Sequence, residues 1–230
     1  MVIHGLQKLT LVDYPMHVSA IVFTGACNFR CPFCHNSSLV LHPSSEPVIP
    51  EEELLEFLQR RKGILEGVVV TGGEPTLQRD LIPFLAKIKS LGYLVKLDTN
   101  GYRPDVLSDA IDSGNVDYVA MDIKNSLDAY KKTAGLTFFN EENIVKSASI
   151  LLNGSVEYEF RTTVVKELHS KENFEKIGQW LKGAGHYYLQ SFVPSENTIG
   201  KGFEKPGLDT LEIYAETLRN YITNVEIRDL

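Results

Sequence analysis

Short runs of apolar, β-branched and aromatic residues recur along the 230-residue chain, at 19–24 (SAIVFT), 67–71 (GVVVT), 93–98 (YLVKLD), 117–122 (DYVAMD), 156–165 and 186–193. Runs of this length and composition, bounded by Gly, Pro, Asn or Asp, predict six β-strands. The segments between them, 51–62, 80–91, 105–113, 141–152, 171–182 and 208–222, carry apolar residues at helical spacing. In the second, Leu81, Phe84, Leu85 and Ile88 fall on one face of a 3.6-residue period. Strand and helix in alternation predict an α/β protein with a parallel sheet and right-handed crossovers, either doubly wound or a partial βα barrel. Residues 225–228 fit a further short edge strand. Nothing repeats at a fixed period, and the Pro/Ser-rich stretch 42–50 reads as a loop inside the fold, so the expectation is one domain over residues 1–230.

Charge narrows the partners. With 23 Lys and Arg against 30 Asp and Glu the net charge is −7, which argues against duplex nucleic acid, whose phosphates need a basic surface. No apolar run approaches the roughly 18 residues that span a bilayer. The first residues lack a basic segment leading into an apolar one, so the expected location is cytoplasmic.

Where the unusual residues fall says more than the strands do. Cys27, Cys31 and Cys34 follow the first predicted strand; Gly72, Gly73 and Glu74 follow the second; Asp98, Thr99 and Asn100 close the third; Asp122 and Lys124 close the fourth. In parallel βα folds the loops leaving the strand C-terminal ends share one face, so these residues are expected to form one site.

The chain has 3 cysteines, all between positions 27 and 34, and an odd, clustered set is not a disulfide framework. Thiolates spaced C-x3-C-x2-C can face a common centre, and iron–sulfur clusters prefer such ligands. With no fourth cysteine, a [4Fe–4S] cube would have one iron without a cysteine ligand. Three other readings compete. Cys31-Pro32-Phe33-Cys34 has the form of a thiol–disulfide exchange site, but Cys27 would then be idle. Cys31 to His35 spells C-x-x-C-H, a haem-attachment pattern that six strands do not suit. Structural zinc on three cysteines and His4, His17 or His42 is not excluded by spacing.

The Cys27–Cys34 motif, with Phe33 before its last cysteine, and Thr71-Gly72-Gly73-Glu74-Pro75 after the next strand resemble the radical S-adenosylmethionine (SAM) superfamily. Asp13-Tyr14-Pro15, the stretch 23–36, Asp98-Thr99-Asn100-Gly101 and Met121-Asp122-Ile123-Lys124 resemble in particular the glycyl-radical-enzyme activases, and among them those serving anaerobic ribonucleoside-triphosphate reductase. The similarity runs from about Gly5 to about Pro194.

The resemblance implies a partial (βα)6 barrel of the radical SAM type. It also implies a [4Fe–4S] cluster on Cys27, Cys31 and Cys34, SAM chelated at the remaining iron, an external one-electron reductant such as flavodoxin or ferredoxin, and a glycyl radical enzyme as protein substrate; a radical SAM enzyme acting on a small molecule and a non-catalytic iron–sulfur electron carrier are the alternatives. Gly72 and Gly73 are then expected to let backbone approach SAM, and Glu74 to meet its ammonium; an ordinary helix-start acid is the plain alternative for Glu74. Arg161 is expected to pair with the SAM carboxylate, the alternatives being solvent, Glu157 or Glu159. Asp122 and Lys124 are expected to contact SAM polar groups or each other. Asp98, Thr99 and Asn100 are expected at the ribose hydroxyls or, with Asp122, around a monovalent cation. Phe33 is placed beside adenine, His35 and Asn36 either fix the loop or touch substrate, and Gln190 faces the substrate. The segments 125–140 and 196–207 carry no motif.

Overall fold

The computed structural model describes residues 1–228, which form two compact units: residues 1–28 with 38–120, and residues 29–37 with 121–228. In the first, strand β1 (Ile3–Thr10) runs antiparallel to β2 (Ser19–Thr24), with Leu6 opposite Val22. After helices α1 (Ser37–Leu41) and α2 (Glu51–Arg60), β3 (Gly67–Gly72) joins β2 in parallel, Val22 against Val70. Helix α3 (Leu81–Ser90) leads to β4 (Leu94–Thr99), parallel to β3 with Val68 against Val95, and α4 (Pro104–Asp112) leads to β5 (Tyr118–Asp122), whose last two residues belong to the second unit. The second unit continues with α5 (Leu127–Thr133), α6 (Glu141–Asn153), β6 (Glu157–Val164), α7 (Lys171–Trp180), β7 (His186–Ser191), α8 (Leu208–Arg219) and β8 (Asn224–Arg228). Here β6, β7 and β8 are successively parallel, Arg161 facing Tyr188 and Gln190 facing Arg228.

Within each unit the strands lie side by side in chain order. A doubly wound sheet reverses its order at a switch point, and no such reversal occurs; the progression is that of a βα barrel. All six predicted strands are present as β2 to β7, and 225–228 is β8. The strand missed is β1. Its burial alternates poorly, with only Ile3 and Thr10 buried, because an edge strand needs no continuous apolar face. The short α1 and α5 were also missed, being too brief to show a helical period.

Local chemistry explains the boundaries. Helix α2 starts after Pro50 with Glu51, Glu52 and Glu53 in its first turn, where carboxylates favour the helix dipole, and buries Leu54, Phe57 and Leu58. Helix α7 starts in a reciprocal capping box between Ser170 and Asn173. Val68, Val69 and Val70 of β3 are all buried, as a parallel strand covered on both faces requires. Among the described residues no helix is long and apolar enough to cross a membrane.

Asp13-Tyr14-Pro15 lies at the opposite end of the strands from the cysteine loop. Tyr14 packs with Ile21 and Val69, and a Cβ on Gly67, the first residue of β3, would lie 2.7 Å from its ring. The buried Lys96 donates to the Asp13 carbonyl at 2.5 Å and faces the Tyr118 ring at 5.5 Å. The motif is thus a packing element of the first unit. Tyr14→Ala is expected to lower the unfolding free energy by about 3–5 kcal/mol in denaturant titration, as large-to-small core substitutions do, while folded protein retains its full cluster content.

Candidate functional site

The cysteine loop is fixed by its neighbours' backbone. It leaves β2 through Ala26, whose φ of 66° is left-handed for a non-glycine residue, held by Ala26 N–H to Leu39 O at 2.8 Å. Further on, Arg30 N–H donates to Ala134 O at 3.0 Å, Gly200 N–H to Pro32 O at 2.6 Å, and Cys34 N–H to Cys31 O at 3.0 Å. Gly135, at φ 64°, comes so close that a Cβ would sit 2.1 Å from Arg30 O. Both segments that carry no motif, 125–140 and 196–207, therefore buttress the loop. Nothing in the sequence marks Ala134, Gly135 or Gly200, because only backbone proximity selects them.

His35 stacks on Phe192, ring centroids 5.4 Å apart, and its Nε2 lies 2.7 Å from Val193 O; of its two expected roles, fixing the loop is the one the geometry supplies. Phe33 is buried, as is Phe29, which meets Tyr130 edge-on.

The three cysteines form no disulfide; Cys31 is buried and Cys27 and Cys34 half-buried. Burial pushes the Cys31 thiol up to about 11, against the opposing charge of Lys124, and raises Cys34 likewise. The Asn100 side-chain amide donates to Asn28 Oδ1 at 2.7 Å and approaches Cys27 Sγ at 3.7 Å.

Gly72 and Gly73 are required by the chain itself. Gly72 has φ 119°, and a Cβ there would lie 2.3 Å from Thr24 N and O; one on Gly73 would lie 2.0 Å from Ala26 O. These close approaches let Gly73 N–H reach Thr24 O and Glu74 N–H reach Ala26 O, each at 2.8 Å, so the turn after β3 is sewn to the start of the cysteine loop.

Glu74 is 1% exposed and accepts four hydrogen bonds. Oε1 takes Thr76 N–H at 3.1 Å, Thr76 hydroxyl at 2.5 Å and Thr99 hydroxyl at 2.8 Å; Oε2 takes Asn100 N–H at 2.7 Å. Burial raises its pKa, and these four donors oppose the shift. The helix-start reading is therefore correct for Glu74, which caps the turn Pro75–Leu77, and Oε2 retains acceptor capacity beyond that role. Thr99 and Asn100 are buried in this network, Asn100 Oδ1 also accepting from Tyr102 N–H at 3.0 Å. Asp98 Oδ1 lies 3.8 Å from Lys96 Nζ.

In the second unit Asp122 is flanked by two cations. Arg161 places Nε and Nη2 at 3.0 and 2.9 Å from Oδ1, and Lys124 Nζ lies 3.0 Å from Oδ2. Burial would raise the Asp122 pKa, but Arg161 and Lys124 hold it at about 2; burial would lower Lys124, and Asp122 raises it. Of the partners expected for Arg161, Glu159 lies with its Oε1 3.9 Å from Nη1; Asp122, which was not expected as its partner, is nearer. Lys124 is positioned through its carbonyl, which accepts from His169 Nε2 at 2.9 Å while Nδ1 accepts Val165 N–H at 3.0 Å. His169 is buried, which lowers its pKa and keeps it neutral.

Parallel βα units with reactive side chains gathered at the strand C-terminal ends follow the plan of barrel enzymes. The model of the radical SAM superfamily matches residues 21–177, a stretch that holds every residue from Cys27 to Arg161 discussed above. The chain belongs to that superfamily and, by its full-length relatives, to the glycyl-radical enzyme activating enzymes. A Methanocaldococcus jannaschii protein named as a glycyl-radical enzyme activating enzyme is 33% identical over 99% of this chain and 96% of its own length. The pyruvate formate-lyase-activating enzyme of Clostridium pasteurianum is 29% identical over 90% and 87%. Among solved structures, SuiB of Streptococcus suis bound to SAM superposes with a TM-score of 0.69 at 16% identity, covering 91% of this chain and 51% of that one. At that identity the likeness shows the fold, the partial barrel expected from the sequence.

Membership implies a [4Fe–4S] cluster and SAM, and the donor set fits them. Among the described residues no three His, Cys, Asp or Glu side chains are arranged around a single metal ion. A cubane asks for something different, since each cysteine takes its own iron. Three unbridged thiols on a backbone-pinned loop, one approached by the amide of Asn100 and another beside Lys124, meet that demand.

Proposed function

We propose that residues 1–230 act as one radical SAM domain that generates a glycyl radical on a partner enzyme, namely an anaerobic ribonucleoside-triphosphate reductase, in the cytoplasm. In this reading Cys27, Cys31 and Cys34 are the cluster ligands, and an electron carrier such as flavodoxin or ferredoxin is the reductant. Held by these residues, the cluster and SAM would supply one-electron reductive cleavage of the C5′–S bond to methionine and a 5′-deoxyadenosyl radical, which would take the hydrogen of a glycine Cα to give 5′-deoxyadenosine and the glycyl radical.

The chain's own residues have the remaining work of holding and orienting. Glu74 Oε2 takes the SAM ammonium beside the Asn100 N–H it already accepts. The guanidinium of Arg161 takes the carboxylate, a match of charge and fork geometry. Asp122 keeps Arg161 and Lys124 in place; with two cations already against its one negative charge, this reading needs no monovalent cation at that carboxylate. Gly72 and Gly73 give the turn after β3 the closeness that sets Glu74, and Phe33 packs beside adenine. Asp98, at the end of β4, is the candidate for the ribose hydroxyls, since Thr99 and Asn100 are engaged with Glu74.

The observation that carries this reading is the three-cysteine loop locked to the Gly-Gly-Glu turn through Ala26 and Thr24. A primary carbon radical is quenched by almost any C–H, so selectivity requires one C–H to be held in reach while others are excluded. The experiment is anaerobic reduction of cluster-loaded protein with SAM, with and without an anaerobic ribonucleoside-triphosphate reductase. A glycine-centred radical seen by electron paramagnetic resonance, with deuterium passing from Cα-deuterated glycine into 5′-deoxyadenosine, is expected. Rapid turnover of a small metabolite with no partner protein would overturn the proposal.

A further inference from the structure

Glu159 is wholly buried and lies between two guanidinium groups. Arg228, on β8, engages both of its oxygens, Nη1 to Oε1 at 3.2 Å and Nη2 to Oε2 at 3.1 Å. Arg161 stands farther off, its Nη1 3.9 Å from Oε1. On the other side Arg161 holds Asp122 at 2.9 Å, and Asp122 holds Lys124 at 3.0 Å. The five charges therefore alternate in sign along one row: Lys124, Asp122, Arg161, Glu159, Arg228.

Arg228 is itself firmly seated. Its guanidinium carbon lies 3.3 Å from the centre of the Tyr188 ring, and its backbone is paired opposite Gln190. Strands are about 4.8 Å apart, so the side chain crosses over β7 to reach β6. A lysine has neither the fork nor the flat face for this position.

In a desolvated setting a carboxylate seeks the cation that can approach most closely. Arg228 meets that need bidentately, which leaves Arg161 committed to Asp122. Without Arg228, Glu159 would keep a full negative charge a short rotation away from Arg161, and a shift of about 1 Å would form a direct charge-assisted bond.

We propose that Arg228 is a positioning residue for Arg161: by saturating Glu159, it keeps the Arg161 guanidinium directed toward Asp122 and the carboxylate end of SAM. The inference deepens the reading of Arg161 above and rests on it. It assigns the last strand, β8, a part in cofactor binding that nothing in its sequence marks.

The test compares SAM and decarboxylated SAM as ligands of cluster-loaded protein by calorimetry, in Arg228→Met, Glu159→Gln, the double variant and Arg161→Met. Arg228→Met is expected to weaken SAM binding about tenfold while changing the affinity for decarboxylated SAM less than about twofold. Glu159→Gln alone is expected to bind SAM normally, and adding it to Arg228→Met should restore affinity to within about threefold of the parent protein, because the competing charge is gone. A purely structural role for Arg228 would weaken both ligands alike. Should Arg228→Met fail to fold, Arg228→Lys is read in its place, with about threefold weakening expected for SAM only. Unchanged SAM affinity in the Arg228 variant, equal weakening of both ligands, or no rescue by Glu159→Gln overturns the inference. Unchanged SAM affinity in Arg161→Met instead overturns the assignment of Arg161 on which it rests.

Discussion

Replacing Cys27, Cys31 or Cys34 singly with Ala is expected to reduce anaerobically reconstituted iron from about four atoms per chain to nearly none, with loss of the cluster's visible absorption. In the proposed site each cysteine would hold a separate iron, so losing one would open a second corner of the cube to solvent and oxygen. The loop has no spare ligand to compensate: the chain has 3 cysteines in all, and His35, the nearest histidine in sequence, is engaged with Phe192 and Val193 O. Burial holds Cys31 as a thiol up to about pH 11 in the metal-free protein, so iron binding must displace its proton, and Lys124 favours the resulting thiolate. The measurement is iron and sulfide content with electron paramagnetic resonance of the reduced protein. A Cys27→Ala variant that keeps full iron would contradict the three-ligand reading and support the Cys31–Cys34 exchange site instead.

Glu74→Ala is expected to have two separable effects. The first is on stability, since Thr76 N–H, Thr76 hydroxyl, Thr99 hydroxyl and Asn100 N–H all lose their acceptor in a buried place. Unsatisfied buried donors cost about 1–3 kcal/mol each, and the hydroxyls can turn elsewhere, so about 3 kcal/mol is expected by denaturant titration of the metal-free protein. The second is on SAM affinity, where a charge-assisted contact worth roughly 1.5–3 kcal/mol corresponds to about tenfold to hundredfold. Glu74→Gln separates them: its Oε1 still serves Thr76 and Thr99, so stability falls less, whereas the charge at Oε2 is gone and the full loss of SAM affinity remains. Parental SAM affinity in the Gln variant, with the cluster intact, would remove Glu74 from the cofactor site and leave it as the latch between the turn after β3 and the end of β4.

Glu74 is observed in one role, the cap of the turn after β3, and is proposed for a second. Helix-start acid and cofactor carboxylate looked like alternatives, yet a carboxylate has enough lone pairs for both. Gly72 and Gly73 carry a similar lesson. They were expected to make room for a ligand, and the collisions a Cβ would suffer are with Thr24 and Ala26 of the chain itself. The close approach is real, but its first purpose is to join two loops.

The strands β2 to β7 and the six long helices were legible because hydrophobic period and turn residues are local properties, written within ten or so neighbouring positions. The three cysteines, the Gly-Gly-Glu turn and their placement after strands were legible for the same reason, since motif spacing is a local property too. What only the tertiary structure decided are the contacts between distant segments. Asp13-Tyr14-Pro15 proved to be packing beneath the strands. Gly135 and Gly200 support the cysteine loop with nothing but backbone. Arg161 chose Asp122 over Glu159 because Arg228, 67 positions later in the 230-residue chain, already held Glu159. A charged side chain pairs with whichever opposite charge the fold brings nearest in a desolvated place, and that distance is set by strand register and crossover, which no stretch of sequence contains by itself.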